Sequence, residues 1–229
     1  AAIIVVAVDP EGIKSAVAAA REAGITVLSV DARVSVPPAH AFVGVDNRGG
    51  SANAGADLVR LVNETLGGTA RVGIIGAFNS LIQNERRDGF LEAVRAAPGI
   101  TIAGVVDGRN VQEQALAAAE NLVTANQDLN FIYATGEPAL IGAIAAVESQ
   151  GRTGRVRIIG WDLSPQAVRG IRQGSVYAVI QQDGYQLGYQ AVGAALKLHR
   201  RESVLQETFV PITIVTRENI DRFAHLSGQ

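Results

Sequence analysis

Val156-Arg157-Ile158-Ile159-Gly160 runs into Trp161-Asp162, and Val176-Tyr177-Ala178-Val179-Ile180 runs into Gln181-Gln182-Asp183. Between them lies one helix-sized segment, Pro165 to Gln173, closed by Gly174. Each apolar run reads as a buried parallel strand, and the segment between them as the crossover helix that a parallel pair requires. Each strand ends in hydrogen-bonding side chains that have no hydrophobic role. Open α/β sheets take their ligands beyond the carboxyl ends of the strands. The stretch therefore predicts a parallel sheet that holds a small polar molecule at one end.

The same rhythm extends in both directions. Strands are expected at Ile3–Val8, Thr26–Val30, Phe42–Val45, Val72–Ile75, Ile100–Val106, Phe131–Ala134, Val156–Ile159 and Tyr177–Ile180. Asp9-Pro10-Glu11 reads as an N-cap followed by proline at the first helical position, with Gly24 closing that helix. Asn47 and Gly49-Gly50 open a helix to Leu66, and Gly67-Gly68 stop it. Further helices are expected at Asn84–Ala97, Gln112–Ala125, Pro138–Gln150 and Tyr185–Arg200. Alternation of this kind implies parallel sheets with right-handed crossovers. Two places break it. Val36-Pro37-Pro38-Ala39-His40 forms a rigid loop with no helix between the second and third strands, and Phe209–Val215 is an extended run interrupted by Pro211. Both read as connections that cross from one sheet to another.

Composition bounds the function. A chain of 229 residues, 48% hydrophobic and 18% charged, buries a large core. No apolar run approaches the ~20 residues of a membrane span. A net charge of −2 gives no long-range attraction to nucleic acid. Cysteine is absent, which excludes disulfides and thiol chemistry. Methionine is absent even at position 1, and no signal sequence precedes the first strand, so the start is expected to be an engineered or incomplete one.

Neither GxGxxG, GxxxxGK[ST] nor GxSxG can be read, and nothing resembles a metal constellation, so no cofactor and no metal are expected. His40, His199 and His225 lack motif partners, and Lys197, His199, Arg200 and Arg201 read as a basic helix end complementing the macrodipole. What remains is a row of polar residues at strand ends: Asp31, Asp46, Arg86 at the start of a helix, Thr135, Asp162 and Gln182. Taken singly, each is a cap or turn residue, as Asp9 and Asp46 are expected to be. Taken together on successive parallel strands, they converge on one crevice. Carboxylates, amides and a guanidinium suit hydroxyl groups, so the expected ligand is an uncharged polyol.

At this point the residues resemble a family. Ile25–Asp31, Val43-Gly44-Val45-Asp46-Asn47 with Gly50, and Asn84-Glu85-Arg86-Arg87-Asp88-Gly89-Phe90 carry the likeness through the first half. Ala134-Thr135-Gly136-Glu137-Pro138-Ala139-Leu140, Ile159-Gly160-Trp161-Asp162, Gln181-Gln182-Asp183 with Gly188-Tyr189, and Val210–Asp221 carry it through the second. The chain resembles the periplasmic sugar-binding proteins of ABC transporters, in their ribose-binding-like, type I group. The resemblance implies an α/β fold of two doubly wound parallel-sheet lobes joined by hinge strands near Val45, Gln182 and Pro211. It implies a first lobe of residues 1–45 plus 183–210, lacking its first two βα units, and a second of 46–182 plus 211–229. It implies a periplasmic or extracytoplasmic receptor, not an enzyme, that captures a sugar or sugar alcohol between its lobes and presents it to a membrane permease, with no nucleic-acid partner.

By the same resemblance Asp31 is the first-lobe carboxylate, Arg86 grips sugar hydroxyls, and Asp162 and Gln182 are a hydrogen-bonding pair of the second lobe. Thr135 stands where ribose binders carry asparagine, and Asn110 where they carry a stacking phenylalanine. Val6 replaces another asparagine and Ala32 an arginine. These departures speak against ribose itself while keeping a sugar or sugar alcohol. Trp161 and Phe78 read equally as stacking surfaces or as core. Two other functions share these features. The effector domain of a LacI-type repressor has the same fold, and a sugar-processing enzyme would use Asp31 and Asp162 as its acid/base pair.

Overall fold

The structure, a computed structural model, describes residues 1–34 and 39–226. Among these residues the chain runs β1 (Ala2–Val5), α1 (Lys14–Glu22), β2 (Thr26–Val30), β3 (Ala41–Gly44), α2 (Asn47–Thr65), β4 (Ala70–Gly76), α3 (Leu81–Arg95), β5 (Ile100–Asp107) and α4 (Gln112–Ala125). It continues through β6 (Phe131–Ala134), α5 (Glu137–Ser149), β7 (Arg157–Trp161), α6 (Pro165–Gln173), β8 (Val176–Gln182), α7 (Gly184–His199), β9 (Glu207–Phe209) and β10 (Ile212–Val215), and ends in a 3-10 segment, Ile220–Leu226. The chain divides into two compact units, Ala1–Asp46 with Gln182–Ile212, and Asn47–Gln181 with Thr213–Gln229.

In the first unit the described strands pair in the order β1-β2-β3-β9, every pair parallel. α7 packs on this sheet, setting Ala195 against Leu28 and Ala41, with Leu198 and Val204 alongside. Three expectations are corrected here. The first strand stops at Val5, and Val8 is exposed; the helix expected from Pro10 begins only at Lys14. Asp9 Oδ1 accepts from the backbone N–H groups of Glu11 and Gly12 at 3.0 Å each, so it closes a turn instead of capping the helix. Gly12, a poor helix former, falls in that turn. The connection at Val36–His40 was expected to cross between sheets. Instead β2 and β3 are neighbours in one sheet, Leu28 opposite Ala41; of the connection, residues 36–38 lie outside the described residues. His40 fixes the register by accepting from Val27 N–H at Nδ1, 3.0 Å.

In the second unit the described strands pair in the order β10-β8-β7-β6-β4-β5. The run Phe209–Val215 does cross between sheets: β9 lies in the first and β10 in the second. Val210 N–H still donates to Gly44 O at 2.7 Å, and Pro211, which has no N–H to give, follows at once. Leu122, Leu140, Val147, Val168 and Ile171 from α4, α5 and α6 join Ile75, Ile132, Ile158 and Val179 of the strands in a buried core. α6 runs from Pro165 to Gln173 as expected, and the structure adds its N-cap. Ser164 Oγ accepts from Ala167 N–H at 3.1 Å, Pro165 takes the first turn, and Gly174 closes it at φ 89°. α3 starts at Leu81, ahead of the expected Asn84, because Ser80 caps it by accepting from Gln83 N–H at 3.3 Å. Asn84 is thereby drawn inside the helix, and its Nδ2 donates to Phe78 O at 2.9 Å. That shift brings Gln83 into the first turn, one helical turn ahead of Arg86 on the same face.

A hydrogen-bonded arc at the strand ends

β4, β5, β6, β7 and β8 pair in parallel, so their carboxyl ends share one edge of the second unit. Arg86, from α3, lies at the centre of this edge and is only 4% exposed. Its Nε donates to Asn47 Oδ1 at 2.8 Å, its Nη1 donates to Thr135 O at 3.1 Å, and the same nitrogen stands 3.6 Å from Asp162 Oδ2. The guanidinium lies over the Trp161 ring, 3.7 Å from its centroid. A buried cation is costly unless its donors are met and its charge is paired. Each of these contacts supplies part of that compensation, and together they fix the plane of the guanidinium.

Beneath Arg86 the support is aromatic. Trp161 Nε1–H donates to Tyr133 Oη at 2.8 Å, and Tyr133 O–H donates to Ser51 Oγ at 2.7 Å. Tyr133 stacks on Phe90 with centroids 3.9 Å apart and planes 4° apart. Trp161 and Tyr133 are both fully buried. Of the two readings left open for Trp161, the structure selects core: its ring is covered by Arg86 and offers no surface to a ligand. Phe78 is exposed beyond the end of β4, and Arg87 approaches its ring to 5.8 Å.

Burial pushes the Tyr133 phenol up from 10.0 to about 12, against the smaller opposing pull of Ser51, Trp161 and Arg86. The folded chain thus keeps this proton to higher pH than the unfolded chain, so the phenol does not alter stability below pH 10, and stability falls as pH rises from 10 toward 12. In an alkaline titration Tyr133 is expected to ionise only together with unfolding. Tyrosinate absorbance in Tyr133→Phe beside the unchanged chain checks this; a tyrosinate signal that the variant lacks and that appears while the chain is still folded contradicts it.

The other expected site residues divide into two groups. Thr135 is buried; its Oγ1 donates to Gln83 Oε1 at 2.6 Å, and Gln83 Nε2 donates to Asn110 Oδ1 at 2.7 Å. Asn110, Gln83, Thr135, Arg86 and Asp162 therefore form one continuous arc across the ends of β5, β6 and β7. Gln83 was not among the expected residues; its place one turn before Arg86 was the available signal. Gln182 is the last residue of β8, half-buried, where the chain leaves for the first unit. The neighbouring Gln181 shapes the turn after β7 by accepting from Leu163 N–H at Oε1, 2.7 Å. Asp31 lies in the first unit at the end of β2, its N–H donating to Val43 O at 2.9 Å.

Asp31, Asn110 and Asp162 share a further property, left-handed backbone at φ 64°, 59° and 67°. Non-glycine residues pay for that conformation with strain, and such strain concentrates at functional sites. Burial, and then the Asp162 carboxylate, push the Glu137 carboxyl up. The edge thus carries acidic groups around its guanidinium, which suits hydroxyls and disfavours an acidic ligand. A cavity of about 550 Å³ elsewhere in this unit, between α2 and strands β7 and β8, shares no residue with the arc. Among the described residues no group of acidic, histidine or cysteine side chains could hold a metal ion.

These features meet known proteins at several points. A D-ribose/D-allose-binding protein of Pseudomonas aeruginosa is 29% identical over 238 residues, covering 94% of this chain and 69% of that protein. An ABC transporter solute-binding protein of Mycobacterium smegmatis, solved with bound glycerol, is 30% identical with a TM-score of 0.86, over 100% of this chain and 77% of that one. One from Actinobacillus succinogenes, with bound D-allose, is 29% identical with a TM-score of 0.88, over 96% of this chain and 80% of that one. The fold is therefore that of the type I periplasmic binding proteins, as the motifs implied. The model of the periplasmic binding protein domain matches residues 1–202, most of the length, and the chain belongs to that family.

Proposed function

We propose that this protein is an extracytoplasmic receptor that captures an uncharged sugar or sugar alcohol and delivers it to the permease of an ABC transporter. The observation that carries the reading is Arg86, buried, paired with Asp162 and held flat on Trp161 at the carboxyl edge of a parallel sheet. A guanidinium fixed in this way presents its fork to hydroxyl oxygens without paying to order itself first. Asp162 accepts from hydroxyls beside it, and the family likeness adds Asp31 and Gln182. The role is binding and not catalysis: the relatives named above are binding proteins, and no feature of the arc favours a repressor or a hydrolase.

The test is a titration with pentoses, hexoses and polyols, read by the fluorescence of Trp161, the only tryptophan. A ligand that touches Arg86 changes the hydrogen bonding of the guanidinium stacked on the indole, so a saturable shift is expected; no response to any of them would remove the support for this reading. Asp162→Asn should keep the left-handed backbone, which asparagine also tolerates, and weaken the best ligand roughly tenfold. His199→Ala, at the far end of α7, should leave affinity unchanged.

A further inference from the structure

We propose that the cavity between α2 and the second sheet is a further binding site, separate from the arc, for a small amphipathic monocarboxylate: one carboxylate on an aliphatic or aromatic body. The cavity measures about 550 Å³, within the range that ligand pockets commonly have. Leu61 of α2, Ile159 of β7, Ala178 and Ile180 of β8 and Ile214 of β10 give it an apolar lining. Two details of the strands shape it. Arg157 and Ile159 alternate onto one face of β7, and both line the cavity. In the pairing of β7 with β8, Ile158 stands opposite Val176 and Ile159 opposite Ala178, so Tyr177 is an extra residue. This bulge turns Tyr177 and Ala178 both to the cavity, where a regular strand would send neighbours to opposite faces.

The carboxylate follows from Arg157. This residue is half-buried, and among the described residues no acidic side chain lies within ion-pair distance of its guanidinium. Of the acids on the rim, Asp57 is already held by Arg60 at 2.8 Å, while Glu64 and Glu218 are exposed. A guanidinium drawn partly out of water is best met by a carboxylate that takes two of its N–H groups at once. Glu64 and Glu218 repel further negative charge, so one carboxylate is favoured over two. The apolar lining then takes the body of the molecule. A sugar, hydroxylated on every side, would lay its hydroxyls on that lining without partners. The cavity and the arc therefore select different chemistry.

The experiment is calorimetric titration of the 229-residue chain with octanoate and phenylbutyrate, beside suberate and phenylbutyramide. Each monocarboxylate is expected to bind saturably. Phenylbutyramide keeps the body and loses the charge, so it should bind roughly tenfold more weakly than phenylbutyrate. Suberate, an octanoate chain with a carboxylate at each end, should bind more weakly than octanoate. Arg157→Gln should cut the affinity for octanoate roughly tenfold. Leu61→Glu keeps a good helix former in α2 and sets a negative charge in the lining, so it should weaken octanoate as well. Melting temperatures show whether each variant is folded; should one fail to fold, the other decides. No saturable binding of either monocarboxylate, an amide or a suberate that binds as tightly as its monocarboxylate, or an affinity unmoved in the folded variants overturns the inference. None of these results bears on the receptor reading.

Discussion

Arg86→Ala is expected to weaken binding of the best solute at least tenfold and to lower the stability of the second unit as well. The two effects have separate causes. Removal of the guanidinium takes away the charged donor fork from the ligand, and a charge-assisted hydrogen bond is worth about 1.5–3 kcal/mol, where ~1.4 kcal/mol is a factor of ten. It also strips Asn47 Oδ1 and Thr135 O of a donor and uncovers the face of Trp161. Arg86→Lys distinguishes the two. Lysine keeps the positive charge beside Asp162 but lacks the planar fork, so affinity should fall nearly as far while the melting temperature stays closer to that of the unchanged chain. Calorimetric titration and thermal unfolding of both variants check this. Unchanged affinity in Arg86→Ala would remove Arg86 from the site.

A large stability effect is expected at Gly89, which lies in the same motif as Arg86. α2 and α3 pack against each other, and at Gly89 the α3 backbone lies close against that of α2 at Arg48. A Cβ added there would lie nearer to the Arg48 carbonyl oxygen than atoms can approach, and 2.9 Å from its carbonyl carbon. Both are backbone atoms, so no side chain can rotate away and the helices must part. Overpacking of this kind costs about 3 kcal/mol, or roughly 6–12 °C in melting temperature for a chain of this size. Parting the helices also carries Arg86, on α3, away from Asn47, on α2, so Gly89→Ala should lose affinity together with stability. Gly193, inside α7, is the contrast: nothing lies within 4 Å of a Cβ placed there. Gly193→Ala should stabilise by about 0.5–1 kcal/mol through helix propensity alone. If the two variants melt alike, the close approach of α2 and α3 is not limiting.

The sequence by itself determined the elements, because their causes are local. The bounds of α6 were legible from Pro165 and Gly174, and α4 and β6 from unbroken periodicity between turn residues. The polar ends of the strands were legible for the same reason, since an aspartate such as Asp162 at the end of an apolar run stands out against it. Where two local signals competed, the reading slipped. Ser80 and Asn84 can each cap a helix, and Asp9 can cap a helix or close a turn; packing and the bonds available to each side chain decided between them.

Only the tertiary structure decided which polar residues work together. Gln83 meets Asn110 across 27 residues and Thr135 across 52, and Tyr133 meets Ser51 across 82. Separations of this size have no spacing rule, because they depend on the order in which β4, β5, β6 and β7 line up in the sheet. Trp161 shows the same limit. Its neighbour Asp162 marked the position as a strand end, but whether the indole faces a ligand or a guanidinium depends on α3, which lies 75 residues earlier at Arg86. Strand alternation fixes which way a side chain points, and the sheet's neighbours determine what it meets there.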